Sequence, residues 1–393
     1  MTNDDGKEQV LTQRLRVGVI GCGVIAEVMH LPHLNELDDL FELRAVCDIS
    51  REKAAACARR FGAPSVFESW EEMLASEPLD VVMVLTSGSH APAAIAAARA
   101  GMHVFVEKPM CLNLEEGVAM VEAAREGGVQ LMVGTMKRYD PAYERMLELL
   151  PDAGELRLIR VTTLESPFKP YVEGYPMEPP MPAPPELLAA LRTADADRLA
   201  LALPDADEET RFCYRWMLLD NLVHELNALR GALGEPEIVK YAELSSRVVN
   251  LSLVFGGVEC HLSWVDLPGM ARYSQELAFY GLDRRVILTL PSPYLRGFPS
   301  QLAVEGAGER GDSHSWRTVE TVSYVEAFKR ELVELHGAVR EQRPPRTDAI
   351  DGLHDVALCH AIARVHLGGE PVRNPSELAA VLPEQELASE VQA

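Results

Sequence analysis

Three things are scarce in this chain. Its seven cysteines, at positions 22, 47, 57, 111, 213, 260 and 359, are odd in number and form no C-x-x-C pair and no clustered ligand spacing. That pattern argues against a disulfide scaffold and against a structural zinc site, so no metal is expected. Dense Lys/Arg runs are missing too, and 37 basic against 60 acidic residues leave a formal net charge of −23. Neutralising nucleic-acid phosphates needs clustered cations, and an anionic membrane would repel this charge, so neither partner is expected. No apolar run reaches the roughly 20 residues that span a bilayer, and the polar start MTNDDGKEQVLTQ has no apolar signal core. A soluble, cytoplasmic protein is expected, with a flexible N-terminus over 1–14 and a tail over 373–393. There is no internal repeat.

What the chain does have is enough apolar residues, 47% of 393, to fill two cores. LRVGVI, GCGVIAEVMHLPHLNEL and FELRAVCD read as strand, glycine turn and helix, and strand, which is a βαβ unit. The helix REKAAACARRFG, the short segment around PSVF leading to SWEEMLAS, the strand LDVVMVLT, the helix APAAIAAARAG, the strand HVFVEKP, the helix LEEGVAMVEAAREGG and the strand VQLMVGTM continue the alternation. Six strands alternating with helices predict a doubly wound parallel sheet of the Rossmann type, a dinucleotide-binding domain over 15–137.

Beyond it the texture changes. GELRLIRVTTLES, EIVKYAELSS, VVNLSLVFG, VECHLSWVD, QELAFYG and RRVILTLP read as strands without intervening helices. They predict an α+β domain with a large, mainly antiparallel open sheet over 138–345, serving substrate binding and oligomerisation. An insertion over 167–211 begins with PMEPPMPAPPE, whose prolines are expected to exclude regular structure. Its second half, LLAALRTADADRLALAL, could form one or two short helices. A helix within 346–372 is expected to pack back on the first domain. The LSLVF and ILTL segments suggest an apolar sheet face that a second copy would cover, giving a dimer or tetramer.

The chemistry gathers at a few positions. Gly21, Gly23 and Ala26, with Val24 and Ile25 between them, follow a strand and open a helix. The first glycine permits a tight turn, the second lets backbone approach a pyrophosphate, and the alanine allows close helix packing. Asp48 ends the second strand, where an acid can accept hydrogen bonds from the adenosine ribose and would repel a ribose phosphate. NAD is therefore the expected cofactor, while Ser50 and Arg51 keep NADP open should Asp48 turn aside. Lys108 ends an apolar strand, in the place where a parallel sheet aims side chains at its ligand, and Pro109 restricts its backbone. The Lys108–Pro109 bond could be cis or trans. Asp220 and His224, four apart on an amphipathic helix, are expected to share a face, with the carboxylate orienting the imidazole. Lys137, Arg138, Lys169, Arg211 and Arg215 would make a cleft basic if they converged.

Taken together, LRVGVIGCGVIA, VVMVLTSGSHAPAAIAAARAGMHVFVEKPM, VGTMKRYDPAYE, the Asp220–His224 helix and DGLHDVALCHAIARVHLGGEPV resemble the Gfo/Idh/MocA family of nicotinamide-dependent oxidoreductases. The resemblance covers nearly the whole ordered chain. It implies that Lys108, Asp220 and His224 act at the reacting hydroxyl or carbonyl. It also implies that Thr86 and His90 lie near the cofactor, that Glu107 supports the nicotinamide end, and that Lys137 and Arg138 border the substrate cleft. The implied activity is hydride transfer between a secondary alcohol on a sugar, sugar derivative or cyclitol and NAD(P). Two alternatives stand beside it: a self-recycling enzyme that keeps its cofactor, and a cofactor-sensing protein without catalysis. Three departures bear on the substrate. Tyr214-Arg215-Trp216-Met217 stands where a glycine pair is usual, the proline common after Thr86 is absent from a shortened loop, and the 167–211 insertion is long.

Overall fold

The computed structural model describes residues 14–179, 181–308 and 311–379. The expected flexible start and most of the expected tail therefore lie outside the described residues.

Six short apolar strands form the first sheet: β1 (Leu15–Ile20), β2 (Phe41–Cys47), β3 (Ser65–Phe67), β4 (Val81–Val84), β5 (His103–Glu107) and β6 (Leu131–Gly134). All pairings are parallel, in the order β3-β2-β1-β4-β5-β6. VVMV and LMVG are buried at every residue, as strands covered by helices on both faces must be. The order reverses between β1 and β4, which opens a crevice at their carboxyl ends.

The second sheet has nine strands in the order β14-β13-β12-β11-β7-β10-β9-β8-β15. They are β7 (Leu156–Glu165), β8 (Ile238–Leu244), β9 (Val248–Phe255), β10 (Val258–Asp266), β11 (Ser274–Gly281), β12 (Arg284–Leu290), β13 (Gln301–Gly308), β14 (Gly311–Thr321) and β15 (Val372–Arg373). Only β7 and β10 run parallel. The apolar patterns of the sequence identify β7 to β12 and miss the last three. QLAVEGAG is rich in small residues and β14 in polar ones, so neither shows strong alternation. The two-residue β15, which pairs with β8, straddles the boundary between the expected C-terminal helix segment and the expected tail.

Alternation along β9 and β12 corrects one expectation. Val249, Leu251 and Leu253, and Val286, Leu288 and Leu290, point into the core. Their neighbours Asn250, Ser252, Ile287 and Thr289 face the other way and are half-buried. The leucines of LSLVF and ILTL thus belong to the buried core that also holds residues of helices Pro141–Leu149 and Val223–Leu233, and do not form an exposed face.

The insertion is more ordered than its prolines suggest. Lys169–Val172 is a short helix, and Pro185–Ala202 is a single helix of 18 residues. Both carry proline in the first turn, where its missing N–H costs nothing. Its two halves rest on different parts of the first domain. The Glu178 amide donates to Glu27 (2.8 Å), and Lys53 donates to the Glu178 carbonyl (2.8 Å). Farther along, the Ser89 amide donates to Asp195 (3.3 Å) and Arg198 to Glu116 (2.5 Å).

Helix Ala349–Gly368 packs against helix Leu114–Gly127 of the first sheet and against β8. A buried polar network locks it to helix Val223–Leu233. Arg230 reaches Asp355 (2.5 Å), Asp351 (3.2 Å) and Glu235 (2.6 Å), while Asn227 donates to both aspartates. A guanidinium so buried is tolerated only because each of its donors is matched. Asp355→Ala should therefore cost about 3–5 kcal/mol of stability, measured by chemical denaturation. A loss below about 1 kcal/mol would show that the network relaxes around the gap.

Candidate functional site

The glycine loop is built as an open cradle. Gly21 sits at φ 97°, and a Cβ there would lie 2.9 Å from the backbone of Leu85 and Thr86, so only glycine fits against the neighbouring loop. At Gly23 a Cβ would meet nothing within 4 Å. The loop thus leaves free space beside exposed backbone, as a pyrophosphate requires. Val24 is exposed at the mouth, Ile25 is half-buried, and Ala26 is fully buried. The helix that follows runs as a π-helix over Ala26–His30 before becoming α-helical at Leu31–Glu36.

Asp48 holds this cradle together. One carboxylate oxygen accepts from the Cys22 amide (2.9 Å) and the other from the Ser50 amide (2.9 Å). Turning it aside, the rearrangement that would admit a ribose phosphate, breaks both bonds. Ser50 is buried as the N-cap of helix Arg51–Phe61, and Arg51 is exposed beside Glu68. Neither is poised over the crevice.

Beyond β5 the chain makes a cis Lys108–Pro109 bond. Buried Glu107 accepts from the Lys108 amide (3.1 Å) on one oxygen and lies 2.6 Å from His30 Nε2 on the other. Lys108 Nζ crosses to the other half of the molecule and donates to the Asp220 carbonyl (2.8 Å) and carboxylate (3.2 Å). Burial alone would lower the lysine pKa, but the charges of Asp220 and Glu107 outweigh it and raise the value. Lys108 is therefore a firmly charged donor. His30 was not singled out from sequence, because its partner lies 77 positions away.

The Asp220–His224 segment departs from the expected α-helix. Cys213–Leu222 is π-helical, and α-helical geometry resumes only at Val223. A π turn aligns residues five apart. Arg215 accordingly lies 3.8 Å from Asp220, and Asn221 donates to the Trp216 carbonyl (2.7 Å). No hydrogen bond joins Asp220 to His224; the carboxylate orients Lys108 instead. Buried Arg215 also stacks on the Trp216 ring at 4.4 Å, in the cleft wall that the glycine pair usually forms.

His224 is half-buried, with Nδ1 lacking a partner. Burial, together with the charges of Lys137 and Lys108, holds its pKa well below the ordinary histidine value. Lys137 is buried beside Glu225 and Glu165; burial lowers its own pKa despite those carboxylates. Thr163 donates to Glu225 at 2.6 Å. Tyr273 and Tyr294 complete the wall within electrostatic reach of Glu165, and Tyr294 also of Lys108 and Asp220. Neither tyrosine carries a local sequence signal.

Several basic and imidazole groups from the sequence list lie elsewhere or are otherwise engaged. Arg138 reaches the Asn227 carbonyl (3.4 Å) and Asp351 (3.7 Å), bracing two helices away from the cleft. Arg211 caps the end of helix Pro185–Ala202 through the carbonyls of Leu203 and Pro204, and Lys169 is exposed. Half-buried Thr86 sits at the end of β4, and its carbonyl lies 2.7 Å from His90 Nε2. His90 is buried, with its Nδ1 2.7 Å from the Pro109 carbonyl, so it ties two crevice loops together and has no free nitrogen for a ligand. Among the described residues, no group of three or more His, Cys, Asp or Glu could hold a metal ion, and no helix is long and apolar enough to cross a membrane.

This geometry agrees with comparisons to known proteins. Residues 15–135 match the model of an oxidoreductase family with an NAD-binding Rossmann fold. Myo-inositol 2-dehydrogenase of Thermotoga maritima is 26% identical over 88% of this chain and 95% of its own length. Inositol 2-dehydrogenase 3 of Saccharopolyspora erythraea is 27% identical over 91% and 95%. Levoglucosan dehydrogenase, solved in complex with NADH, superposes with a TM-score of 0.71 at 20% identity, covering 92% of this chain and 99% of that one, and shares the fold. The chain is thus an NAD(P)-dependent oxidoreductase. Within that class, residues 15–135 match the Gfo/Idh/MocA family.

The cradle gives a clean test. A Cβ at Gly23 meets nothing within 4 Å, so Gly23→Ala should match wild type in melting temperature while NAD affinity falls at least about tenfold by calorimetry. Unchanged affinity would place the dinucleotide elsewhere.

Proposed function

We propose that the chain interconverts a secondary alcohol and a carbonyl on a sugar, sugar derivative or cyclitol, with NAD as its cofactor. The observation that carries this reading is the bonding of Lys108, from the end of β5, to Asp220 of the second half, with His224 in electrostatic reach of the same lysine. With the dinucleotide held by Gly21–Ala26, Asp48 and the Thr86 loop, its nicotinamide end, near Glu107, would supply the hydride acceptor. The residues of this chain supply the rest.

Lys108, kept charged by Asp220 and Glu107, donates to the reacting oxygen and stabilises the negative charge it develops. His224, kept neutral by burial and by Lys137 and Lys108, takes the hydroxyl proton. Asp220 positions Lys108 through the two hydrogen bonds that hold Nζ. Asp48, fixed by two backbone amides, supports NAD over NADP.

A second reading, in which the dinucleotide stays bound and is recycled, is favoured by the insertion's anchorage. Its contacts through Glu178 and through Asp195 and Arg198 fall on the helix that follows the glycine cradle and on Ser89 and Glu116 beyond β4 and β5. Cofactor carried through gel filtration would support it. The seven free, buried cysteines fit a reducing, cytoplasmic setting. We further infer a homo-oligomer, dimer or tetramer, formed on edge strand β14 and the following turn, where Trp316, Val319, Tyr324 and Val325 are exposed. A monomeric mass by light scattering would refute this.

Two outcomes test the chemistry. Lys108→Ala should lower kcat about 100-fold or more while leaving NAD affinity within about threefold; normal turnover would remove Lys108 from the mechanism. The depressed pKa of His224 keeps the base unprotonated to lower pH, so the acid limb of kcat/KM for alcohol oxidation should fall below the ordinary value of 6.5. Lys137→Met removes a charge that opposes protonation and should move that limb upward. An unmoved limb would mean another group titrates there.

A further inference from the structure

Tyr294 lies on the loop between β12 and β13, remote in sequence from every residue placed in the mechanism. Its surroundings are those of a recognition residue. Burial raises the phenol pKa, and Lys108, Asp220, Glu107 and Glu165 all act on the hydroxyl electrostatically, so the oxygen is held within the charged part of the cleft. The side chain is half-buried, and its hydroxyl makes no hydrogen bond among the described residues. Tyr273, the other tyrosine of the wall, lies beside Gln275, with its hydroxyl 3.4 Å from the amide oxygen.

The insertion fixes this residue from behind. Phe168 packs edge-on against the Tyr294 ring at a centroid distance of 5.0 Å. Tyr175 donates its hydroxyl hydrogen to the Tyr294 carbonyl (2.7 Å), while the same oxygen accepts from the Arg296 amide (2.9 Å). One phenol thus pins both ends of a three-residue turn. Tyr294 and Tyr175 also pack onto the cluster of Val28, Met29, Met136 and Phe328, which links the loop to the helix following the glycine cradle. Ordering an aromatic side chain this firmly, with a free hydroxyl beside Lys108 and Asp220, is what a site needs to read a substrate without reorganising on binding.

We propose that Tyr294 is a specificity-determining residue. Its hydroxyl bonds a non-reacting hydroxyl of a polyhydroxylated ring, and its face covers the ring's C–H surface. Tyr175 is the positioning residue that holds it, which gives the first half of the insertion a role in substrate selection. The inference rests on the alcohol–carbonyl reading of the same cleft and adds the group that chooses the substrate.

The test uses the full-length protein with the best polyol found in a panel of sugars and cyclitols, together with its monodeoxy analogues. Tyr294→Phe removes only the hydroxyl and should raise KM for the parent polyol about tenfold, with kcat and NAD affinity within about twofold. Wild type should reject one monodeoxy analogue that Tyr294→Phe no longer distinguishes from the parent, since that analogue lacks the hydroxyl the phenol reads. Tyr175→Phe, whose hydroxyl is remote from the reacting atoms, should give a smaller rise in KM with an unchanged melting temperature. Unchanged KM and unchanged analogue discrimination in Tyr294→Phe would overturn the proposal. A parallel fall in NAD affinity would also overturn it, by showing that the residue serves the cofactor. If wild type turns over no polyol while still binding NAD, the failure belongs to the alcohol–carbonyl reading, and the inference built on it falls as well.

Discussion

An ammonium group at the end of a buried strand must find acceptors, because leaving it unpaired in a poorly hydrated crevice costs several kcal/mol. Lys108 meets that demand across 112 positions of sequence, on the carbonyl and carboxylate of Asp220. Much of the remaining architecture serves this junction. Glu107 and His30 fix the lysine's backbone from the first half, and the Arg230 network anchors the helix that follows Asp220 in the second. The crevice between β1 and β4 is thereby closed on one side by a charged contact rather than by apolar packing. That is the condition under which a polar substrate and a dinucleotide can share it.

The same contact explains why two basic groups in one cleft behave oppositely. Lys108 has Asp220 and Glu107 beside it and is held charged, whereas His224 has two lysines nearby and is held neutral. Environments that push proton affinities apart are how one site obtains both an electrostatic stabiliser and a base at one pH. Asp220 belongs to the lysine in this division. The expectation that it would orient His224 assumed α-helical stacking, and the π-helical run Cys213–Leu222 replaces that alignment with a five-residue one. A widened turn leaves no mark in amino-acid composition, so spacing alone could not reveal the change.

Legibility elsewhere followed the range of the determining interaction. The parallel sheet was readable because strands such as VVMV and LMVG are buried at every residue and so appear as unbroken apolar runs between helices. The glycine cradle was readable because a positive φ at Gly21 and open space at Gly23 demand one residue type at fixed positions. Strands β13 and β14 were not, since their register is set by pairing with a neighbour and their own residues are small or polar. His30, Tyr273 and Tyr294 were hidden for a related reason: each acquires its meaning from partners that only the tertiary fold brings near.

Arg138 and His90 show the converse. Both sit in motifs that resemblance assigned to a ligand, and both turn polar atoms to the protein itself, Arg138 bracing two helices through Nη1 and His90 joining two crevice loops through both ring nitrogens. A side chain whose polar atoms are already engaged gains little by turning toward a ligand, because each new hydrogen bond would be offset by one lost. Groups around Asp220 with capacity still to spend include the charged Lys108 and the Nδ1 of His224, with the Tyr294 hydroxyl in electrostatic reach. They come from strand, helix and loop of both halves, so their meeting in the tertiary fold, more than motif membership, is what locates the proposed chemistry.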